Sequence, residues 1–245
     1  MSQETERLER TVRAVFRMPE HITPWMPDFD EAMADARRGV PSSGWDTFSP
    51  EQREQLAGIL ADAHWRRAAG TIGVPTRLLD ASMASTRRTP ALERVATYLA
   101  GEYERGACLV LTGPTGVGKS YAAVAALRAL PTQPRRFRYF PSLCGALLDP
   151  GRRKDALEET TTTRLLVLDD LGVEYVKEGG LIDTFLDEII WTREGEYRPT
   201  IITTNLTTDA LKQRLPGRLI DRLAGEWGRV YGCPGESLRG QDCAG

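Results

Sequence analysis

One stretch of the sequence combines the residue types that are needed to hold a polyphosphate. It reads Gly-Pro-Thr-Gly-Val-Gly-Lys-Ser and has the form G-x-x-x-x-G-K-[ST]. Its glycines allow a tight turn whose successive N–H groups can bind phosphate oxygens, Lys119 can reach the β and γ phosphates, and Ser120 can hold Mg²⁺. The stretch predicts an ATP–Mg²⁺ site, the alternative being a glycine-rich turn that fits by chance. The predicted ATP contacts are Gly113, Pro114, Thr115, Gly116, Val117, Gly118, Lys119 and Ser120.

The neighbouring segments predict the strand and the helix that must position this loop. An apolar run from Ala107 to Leu111 leads into the loop, and a helix-forming run from Tyr121 to Leu130 leads out of it. The helix would direct its positive N-terminal end at the same anion. From Gly106 onward short apolar runs alternate with helical segments, which predicts an α/β fold with a parallel central sheet. Strands are expected at 107–112, 135–140, 164–169 and 200–204.

Two adjacent acids end the third of these predicted strands. Asp169 and Asp170 directly follow the apolar run Leu165–Leu168. In P-loop NTPases an acid at this strand end holds Mg²⁺, a role that we assign to Asp169, and Asp170 can orient or deprotonate the attacking water. Two acids at a strand end are also common in surface turns, and the phosphate-binding loop is what favours the catalytic interpretation.

Polar residues further along the chain could complete such a site. Asn205 follows Thr203 and Thr204 at the end of the fourth predicted strand, where ligands bind in open parallel sheets. Its amide could hold the lytic water or sense a γ-phosphate, unless it only starts a turn. Arg218 and Arg222 share a helix face, and an arginine opposite a γ-phosphate stabilises transition-state charge. Arg239, near the end of the sequence, is a candidate second phosphate contact. For all three arginines the alternative is an ordinary surface position.

The composition narrows the class of protein. The chain has 245 residues, of which 41% are hydrophobic and 27% charged, as in ordinary globular proteins. No apolar run approaches the ~20 residues of a membrane helix and the N-terminus has no signal-peptide core, so a cytoplasmic protein is expected. The four cysteines form no C-x-x-C pair, which argues against zinc and disulfides. The net charge of -2 excludes a uniformly basic nucleic-acid binder but allows local basic patches.

The first 70 residues predict a small helical module. Its predicted helices cover 3–18, 28–38 and the residues that follow a Ser49 cap with Pro50 in first position. Since no catalytic group is visible there, the module is either a packing extension or a partner-binding unit. Gly70–Pro75 predicts a hinge by its glycine and proline content, so domains are expected at 1–70 and 71–245. Thr89 and Pro90 repeat the same helix-start pattern in the larger domain.

Two basic clusters could contact single-stranded DNA. The first alternates with aromatic residues, which could stack on bases while the arginines hold phosphates. It consists of Arg135, Arg136 and Arg138 beside Phe137, Tyr139 and Phe140. The second consists of Arg152, Arg153 and Lys154, on a predicted loop after Pro150 and Gly151. A solvated surface is the alternative for both clusters.

The order of these motifs resembles that of the AAA+ helicase loaders of the DnaC and DnaI types and of the related IstB-type ATPases of insertion sequences. The resemblance covers roughly residues 70–240 and rests on G-P-T-G-V-G-K-S, L-L-V-L-D-D-L-G-V-E, R-P-T-I-I-T-T-N-L, G-R-L-I-D-R-L and G-E-S-L-R. It implies a three-layer P-loop NTPase of the AAA+, ASCE type. It also implies a Walker A at Gly113–Ser120, a Walker B at Asp169–Asp170, a sensor-1 residue at Asn205, an arginine finger at Arg218 that acts on a neighbouring subunit's ATP, and a sensor-2-like Arg239.

The same resemblance implies a function, namely ATP-dependent loading of a replicative hexameric helicase onto single-stranded DNA. Residues 1–70 would bind the helicase, and homo-oligomers would form through the ATP sites. Two features depart from the wider AAA+ pattern. Asp170 is one methylene shorter than the usual Glu, so slow, partner-stimulated ATP hydrolysis is expected, and the sequence after Arg239 is too short for a full C-terminal lid. An IstB-type helper of a transposase is the main alternative, and a small-molecule kinase and an ATP-binding adaptor are further ones.

Overall fold

Five parallel strands form the centre of the fold in the computed structural model, which describes residues 50–85, 87–131, 133–172 and 179–238. The strands are β1 (Cys108–Thr112), β2 (Arg135–Tyr139), β3 (Leu165–Asp169), β4 (Thr200–Thr203) and β5 (Gly228–Gly232). Their order in the sheet is β2-β3-β4-β1-β5, and each neighbouring pair is parallel. The prediction of an α/β fold with a parallel central sheet is confirmed.

The four predicted strands agree with β1 to β4 to within one residue at each end. β1, β3 and β4 are buried along their whole length, as expected of strands that are covered on both faces. The sequence pattern does not predict β5, because this strand begins and ends with glycine and carries the exposed Arg229. β5 is an edge strand that pairs with β1, so it needs little apolar surface of its own.

The helices are α1 (Pro50–Ile72), α2 (Pro90–Thr97), α3 (Lys119–Ala129), α4 (Phe140–Leu148), α5 (Arg153–Thr162), α6 (Gly179–Gly195), α7 (Thr208–Arg214) and α8 (Gly217–Leu223). A π-helical turn, Tyr98–Glu102, continues α2, and a 3-10 turn covers Thr76–Leu78. Thr89 caps α2 as predicted, since its side chain accepts a hydrogen bond from the Leu92 N–H at 3.1 Å.

The helices pack on both faces of the sheet and make three layers. Cys108 and Val110 of β1 belong to one hydrophobic core with buried side chains of α4, α5, α6, α7 and α8. The intervening Leu109 and Leu111 are fully buried and face the opposite side, because successive side chains of a strand alternate. The Ala-rich helix α3 packs on that side against β2, β3 and β4, with α2 beside it. The predicted three-layer architecture is confirmed.

The chain divides into two compact units, Met1–Thr71 and Ile72–Gly245. The described part of the first unit belongs to α1, which begins at Pro50 as predicted. The helix continues through Gly70, so the backbone break falls at Gly73, whose φ is +93°. The helices predicted at 3–18 and 28–38 lie outside the described residues. Among the described helices, none combines the length and the apolar character that a membrane span requires.

A fully buried arginine aligns the amino ends of two central strands. Arg193 of α6 donates five hydrogen bonds, to Thr200 Oγ1 at 2.7 Å and to the carbonyl oxygens of Thr160 (2.8 Å), Thr163 (2.9 Å), Arg164 (3.0 Å) and Pro199 (2.8 Å). Burial lowers the pKa of Arg193 to about 9, which leaves it charged at neutral pH. Its guanidinium therefore ties the end of α5 to the starts of β3 and β4, whose opposite ends carry the candidate site.

Candidate nucleotide site

The predicted phosphate-binding loop connects the end of β1 to the start of α3. Gly113, Gly116 and Gly118 have φ values of +135°, +91° and +93°, a region that glycine adopts readily and other residues rarely do. α3 begins at Lys119, directly after the left-handed Gly118. The helix therefore opens at the loop, where the partial positive charge of its N-terminus favours an anion.

The segment that follows β5 lies against this loop. We call Cys233–Leu238 the C-terminal strap. A Cβ atom on Gly113 would lie 2.4 Å from the carbonyl oxygen of Cys233, and one on Gly116 would lie 2.2 Å from Ser237 Oγ. The Leu238 N–H donates to the Gly116 carbonyl at 3.0 Å. These glycines are therefore required for close packing of the strap as well as for their backbone conformation.

Lys119 is buried, and its ammonium group lies within the loop. It donates to the carbonyl oxygens of Gly113 and Pro114, both at 2.7 Å, and to Asn205 Oδ1 at 3.1 Å. These three acceptors are neutral oxygens that hold the side chain within the loop. In this position the ammonium group is suited to binding the phosphates of a nucleotide.

The two acids at the end of β3 are held by residues at the end of β4. Thr203 Oγ1 donates to Asp169 Oδ1 at 2.6 Å and accepts from the Asp170 N–H at 3.0 Å. Asn205 Nδ2 donates to Asp170 Oδ1 at 2.5 Å. Asp170 has a φ of +66°, which turns its side chain away from the direction that Asp169 takes. The structure thus separates the two carboxylates into two differently bound groups.

These contacts join three adjacent strands at their carboxyl ends. Lys119 follows β1, Asn205 follows β4 and Asp170 follows β3, which are neighbours in the sheet. Asn205 accepts from Lys119 and donates to Asp170, so one amide connects the predicted phosphate-binding lysine to the predicted catalytic acid. The structure brings together four of the predicted site residues in the arrangement typical of a nucleotide-hydrolysing site.

The donor set fits Mg²⁺ that is bound together with a nucleotide. Among the described residues no group of three or more His, Cys, Asp or Glu side chains could hold a metal ion by itself. Mg²⁺ bound with nucleotides commonly takes one or two protein oxygens and completes its shell with phosphate oxygens and water. Asp169 and Ser120 could supply such oxygens, and Thr203 holds the Asp169 carboxylate in place through Oδ1.

The family model for IstB-like ATP binding proteins matches residues 91–242, which is more than half of the chain. The chain belongs to this family. The matched region contains the whole loop, both acids, Asn205 and the arginines that follow. The predicted ATP-binding domain is therefore confirmed, and so is the resemblance to this group of AAA+ proteins.

Three solved structures share the fold of this IstB-like protein. The crystal structure of the DnaC helicase loader is 24% identical with a TM-score of 0.56, and the match covers 65% of this chain and 100% of that one. The crystal structure of DnaI is 24% identical with a TM-score of 0.58, and the match covers 68% of this chain and 94% of that one. The replication initiator DnaA bound to AMPPCP and single-stranded DNA is 18% identical with a TM-score of 0.52, and the match covers 64% of this chain and 50% of that one. At these identities the likeness shows the AAA+ P-loop fold alone. Among curated proteins, none matched the sequence.

The predicted finger arginine of the IstB-like chain lies at the start of α8. Arg218 Nε is 2.9 Å from Asp187 Oδ2 of α6, and 58% of its side chain is exposed. Arg222, one turn later, pairs with Glu194 and is less exposed. Within the part of the chain that the structure describes, no hydrogen bond or ion pair joins Arg218 to the loop. Arg239 lies outside the described residues.

The first basic cluster makes contacts within the protein. Arg135 is buried, and its Nη1 donates to the carbonyl oxygens of Leu130 at 2.7 Å and Pro131 at 2.5 Å. Arg136 and Arg138 both pair with Glu159 of α5. Burial lowers the pKa of Arg135, because water no longer stabilises its charge fully. These arginines therefore fasten β2 to its surroundings, a role that alternation with aromatic residues does not reveal.

The second basic cluster lies at the start of a helix, which corrects the prediction of a loop. α5 begins at Arg153, because Asp149 Oδ1 accepts from the Gly151 N–H and turns the chain into the helix. Arg153 Nε donates to the Leu147 carbonyl at 2.8 Å, and its guanidinium lies 5.0 Å from the centroid of the Phe185 ring. Arg152 is exposed and pairs with Asp149 at 2.7 Å, and Lys154 is exposed.

Two features of the site are not predicted by the sequence motifs. Thr203 contacts both acids, yet it reads as an ordinary β-branched strand residue. The one local signal is a hydroxyl at the end of a buried strand, just before a polar turn. The C-terminal strap contacts the loop only because β5 lies next to β1, and β5 has no clear strand pattern.

Proposed function

We propose that this protein is an ATPase that loads a replicative hexameric helicase onto single-stranded DNA. The observation that carries the proposal is the convergence of Lys119, Asp169, Asp170 and Asn205 at the ends of three adjacent strands. P-loop NTPases hydrolyse nucleotides with a lysine on the phosphates, an acid that holds Mg²⁺ and a residue that positions the water, and the ATP-binding domain of this IstB-like protein has residues of these types. The fold shared with the DnaC helicase loader and with DnaI supports the finer assignment.

The residues of the site take distinct roles in this proposal. The loop N–H groups and the start of α3 hold the phosphates, and Lys119 turns from its two carbonyl partners toward the β and γ phosphates. Ser120 and Asp169 hold Mg²⁺, which supplies charge stabilisation at the transferring phosphoryl group. Asp170 takes the proton of the attacking water or orients it, and Asn205 keeps Asp170 in place.

From the contacts at the site we expect a slow basal rate of ATP hydrolysis. Lys119 is engaged by two carbonyls and one amide, and Asp170 is engaged by the same amide, so catalysis requires several of these bonds to rearrange. Asp170 is also shorter than a glutamate and reaches less far toward a water. Binding of a partner that favours the rearranged state raises the rate, since a ligand shifts an equilibrium by its differential affinity for the two states.

Arg218 completes the site of a neighbouring subunit. Its side chain is more than half exposed, and its ion pair with Asp187 is a surface pair of the kind that contributes only about 0–1 kcal/mol. Releasing this pair to bind a γ-phosphate therefore requires little free energy. ATP at the interface would join two copies of the protein, and hydrolysis would loosen them.

The second basic cluster is the better candidate for DNA. Arg152 and Lys154 are exposed at the start of α5, whereas Arg135 of the first cluster is buried in carbonyl contacts. Arg136 and Arg138 share Glu159, which offsets part of their charge. DnaA, whose fold this domain shares, binds single-stranded DNA. We assign Arg152 and Lys154 to phosphate contacts, which makes DNA affinity dependent on salt concentration.

A second candidate function is that of an ATPase helper of a transposase. The match to the IstB-like family model favours it, because the IstB-type ATPases of insertion sequences share this ATP-binding domain and differ in partner. In both candidates residues 1–70 are proposed to bind the partner, and ATP is proposed to control the assembly. The two candidates therefore differ in one observable, the protein that is bound.

A binding experiment with the full-length chain separates the candidates. The protein is immobilised and presented with the purified replicative helicase or the purified transposase from the same genome, each with ATP, with ADP or without nucleotide. We expect the helicase to be retained in a nucleotide-dependent manner. Lys119→Ala should abolish that dependence, and Lys212→Ala, which changes an exposed lysine of α7, should leave it intact. Retention of the transposase alone would move the assignment to the second candidate, and retention of neither would contradict both.

A further inference from the structure

We propose that Thr203 is a positioning residue of the ATPase site, which sets Asp169 for Mg²⁺ and Asp170 for the attacking water. Thr203 is the last residue of β4 and is buried. Its hydroxyl donates to Asp169 Oδ1 at 2.6 Å and accepts from the Asp170 N–H at 3.0 Å, while its carbonyl accepts from the Leu171 N–H at 2.8 Å. One residue therefore contacts three consecutive residues at the end of β3.

The hydroxyl group is what makes this double contact possible. A hydroxyl can donate one hydrogen bond and accept another at the same time, whereas valine, which has nearly the same shape, can do neither. At 2.6 Å the bond to Asp169 is short, as expected of a hydroxyl that donates to a charged carboxylate. The two partners of Thr203 Oγ1 thus account for the orientation of both acids.

For Asp169 the consequence is a carboxylate with a fixed orientation. Thr203 is a neutral donor, so it orients Asp169 without placing a positive charge beside it. Its hydrogen bond to Oδ1 fixes the direction in which the carboxylate would present its oxygens to a metal. Groups that hydrogen-bond a metal-binding carboxylate in this way fix its orientation, and removing them typically weakens metal binding about 10–100-fold.

For Asp170 the consequence is a left-handed backbone conformation, which few non-glycine residues adopt and which Asp adopts more often than most of them. Its φ of +66° is in the left-handed region, and its N–H is anchored on the Thr203 hydroxyl. This conformation directs the carboxylate to the amide of Asn205, at 2.5 Å, and away from the path of Asp169. Thr203 therefore acts on the water-orienting acid through the backbone and on the metal-binding acid through the side chain.

The inference rests on the proposed ATPase function and is tested by separating metal binding from turnover. The affinity of the full-length protein for ATPγS is measured with MgCl₂ and with EDTA, together with kcat and KM for ATP. For Thr203→Val we expect the Mg²⁺-dependent gain in affinity to fall about 10–100-fold and kcat to fall by a similar factor. Binding in EDTA should stay within about twofold of the wild type, because the loop and Lys119 are unchanged. Thr203→Ser, which keeps the hydroxyl, should restore both quantities.

Thr204→Val is the matched structural control. Thr204 is also buried, and its hydroxyl donates to the Leu171 carbonyl at 2.6 Å and accepts from the Leu206 N–H at 3.1 Å, so it touches neither carboxylate. We expect this variant to lose as much thermal stability as Thr203→Val and yet to keep the Mg²⁺ response. If Thr203→Val does not fold, Thr203→Cys replaces it, because a thiol is a weak donor and acceptor.

The outcomes distinguish the inference from the function on which it rests. A wild-type Mg²⁺ response and kcat in Thr203→Val or Thr203→Cys would overturn the role of Thr203 and leave the ATPase assignment standing. Equal losses of the Mg²⁺ response in Thr203→Val and Thr204→Val would also overturn it, because the effect would then be one of stability. A wild-type protein that binds ATPγS but shows no turnover, with or without DNA and helicase, would overturn the ATPase function and the inference together.

Discussion

The side-chain amide of Asn205 donates to Asp170 Oδ1 at 2.5 Å. The oxygen of the same amide accepts from Lys119 Nζ at 3.1 Å. The position of the acid is thus linked to that of the lysine that is expected to contact the γ-phosphate. A movement of Lys119 onto a nucleotide changes one of the two bonds of Asn205, so the acid can respond to whether the loop is occupied.

Replacing Asn205 should therefore affect turnover more than binding. In Asn205→Ala the acid loses the hydrogen bond from the Asn205 amide, and we expect kcat for ATP to fall about 10²-fold, the loss typical of removing a positioned polar group from a catalytic site. The affinity for ATP should change less than about tenfold, because Lys119 keeps its loop contacts. Steady-state kinetics and isothermal titration measure the two quantities. Gln213→Ala, an exposed change on α7, is the control, and a variant that loses binding but not kcat would contradict the prediction.

Local patterns predict the strands and the motif residues, whereas contacts across strands require the register of the sheet. Runs such as Leu165–Leu168 are apolar throughout, so both the strand and the position of the acids at its end follow from the sequence. The pairing of β3 with β4 brings Thr203 beside Asp169, and no periodicity along either strand contains that information. The buried Arg193 is missed for a related reason, because its five acceptors come from two segments, 160–164 and 199–200, that are far apart in the chain.

Removing Arg193 should destabilise the domain strongly. Arg193→Met removes the donor of the Thr160, Thr163 and Arg164 carbonyls and of the Thr200 hydroxyl, while the Pro199 carbonyl keeps the Leu166 N–H. Each buried acceptor that is left without a partner costs about 1–3 kcal/mol. Urea unfolding measures the change. Arg152→Met removes an exposed ion pair with Asp149 and should stay within about 0.5 kcal/mol of the wild type. Equal losses in the two variants would contradict the anchoring role of Arg193.

The close contact between Gly116 and Ser237 of the strap predicts that Gly116→Ala destabilises the protein and that a second substitution at Ser237 partly restores its stability. An alanine at 116 would place Cβ 2.2 Å from Ser237 Oγ at a φ of +91°, so Gly116→Ala has both a clash and a strained backbone. The strain amounts to about 1–2 kcal/mol and the clash to about 1–3 kcal/mol. Adding Ser237→Gly should recover the stability that is lost to the clash but not the stability that is lost to backbone strain. Urea unfolding and ATP affinity measure the recovery.

Gly145→Ala in α4 is the control for this pair, because a Cβ there meets no atom within 4 Å. It should be neutral or should stabilise the protein by about 0.5–1 kcal/mol, since alanine favours a helix interior over glycine. If Ser237→Gly recovered nothing, the strap would not be packed against the loop in solution.

Cys233 should react slowly with alkylating reagents at neutral pH. Burial raises the pKa of its thiol to about 11, although the nearby charge of Lys119 lowers it in part. Because the thiolate is the reactive form, alkylation at pH 7.5 should be at least about 10²-fold slower than for a free thiol, and it should rise about tenfold per pH unit toward pH 11. Iodoacetamide labelling of a Cys243→Ser variant measures the buried cysteines alone. Fast labelling of Cys233 at pH 7.5 would show that the strap opens readily.

The exposure of Arg218 predicts that two inactive variants restore each other. Lys119→Ala lacks the phosphate-binding lysine and Arg218→Ala lacks the proposed finger, so each alone should lose ATP turnover. If Arg218 acts on the neighbour's ATP, an equal mixture forms intact sites at about a quarter of its interfaces and should recover about a quarter of the wild-type rate. Arg214→Ala is the matched control, because Arg214 pairs with Asp183 of α6 as Arg218 pairs with Asp187. The Arg214→Ala variant should hydrolyse ATP at the wild-type rate without being mixed with another variant. A mixture that stays inactive at concentrations where the wild type hydrolyses ATP would place Arg218 outside the shared site.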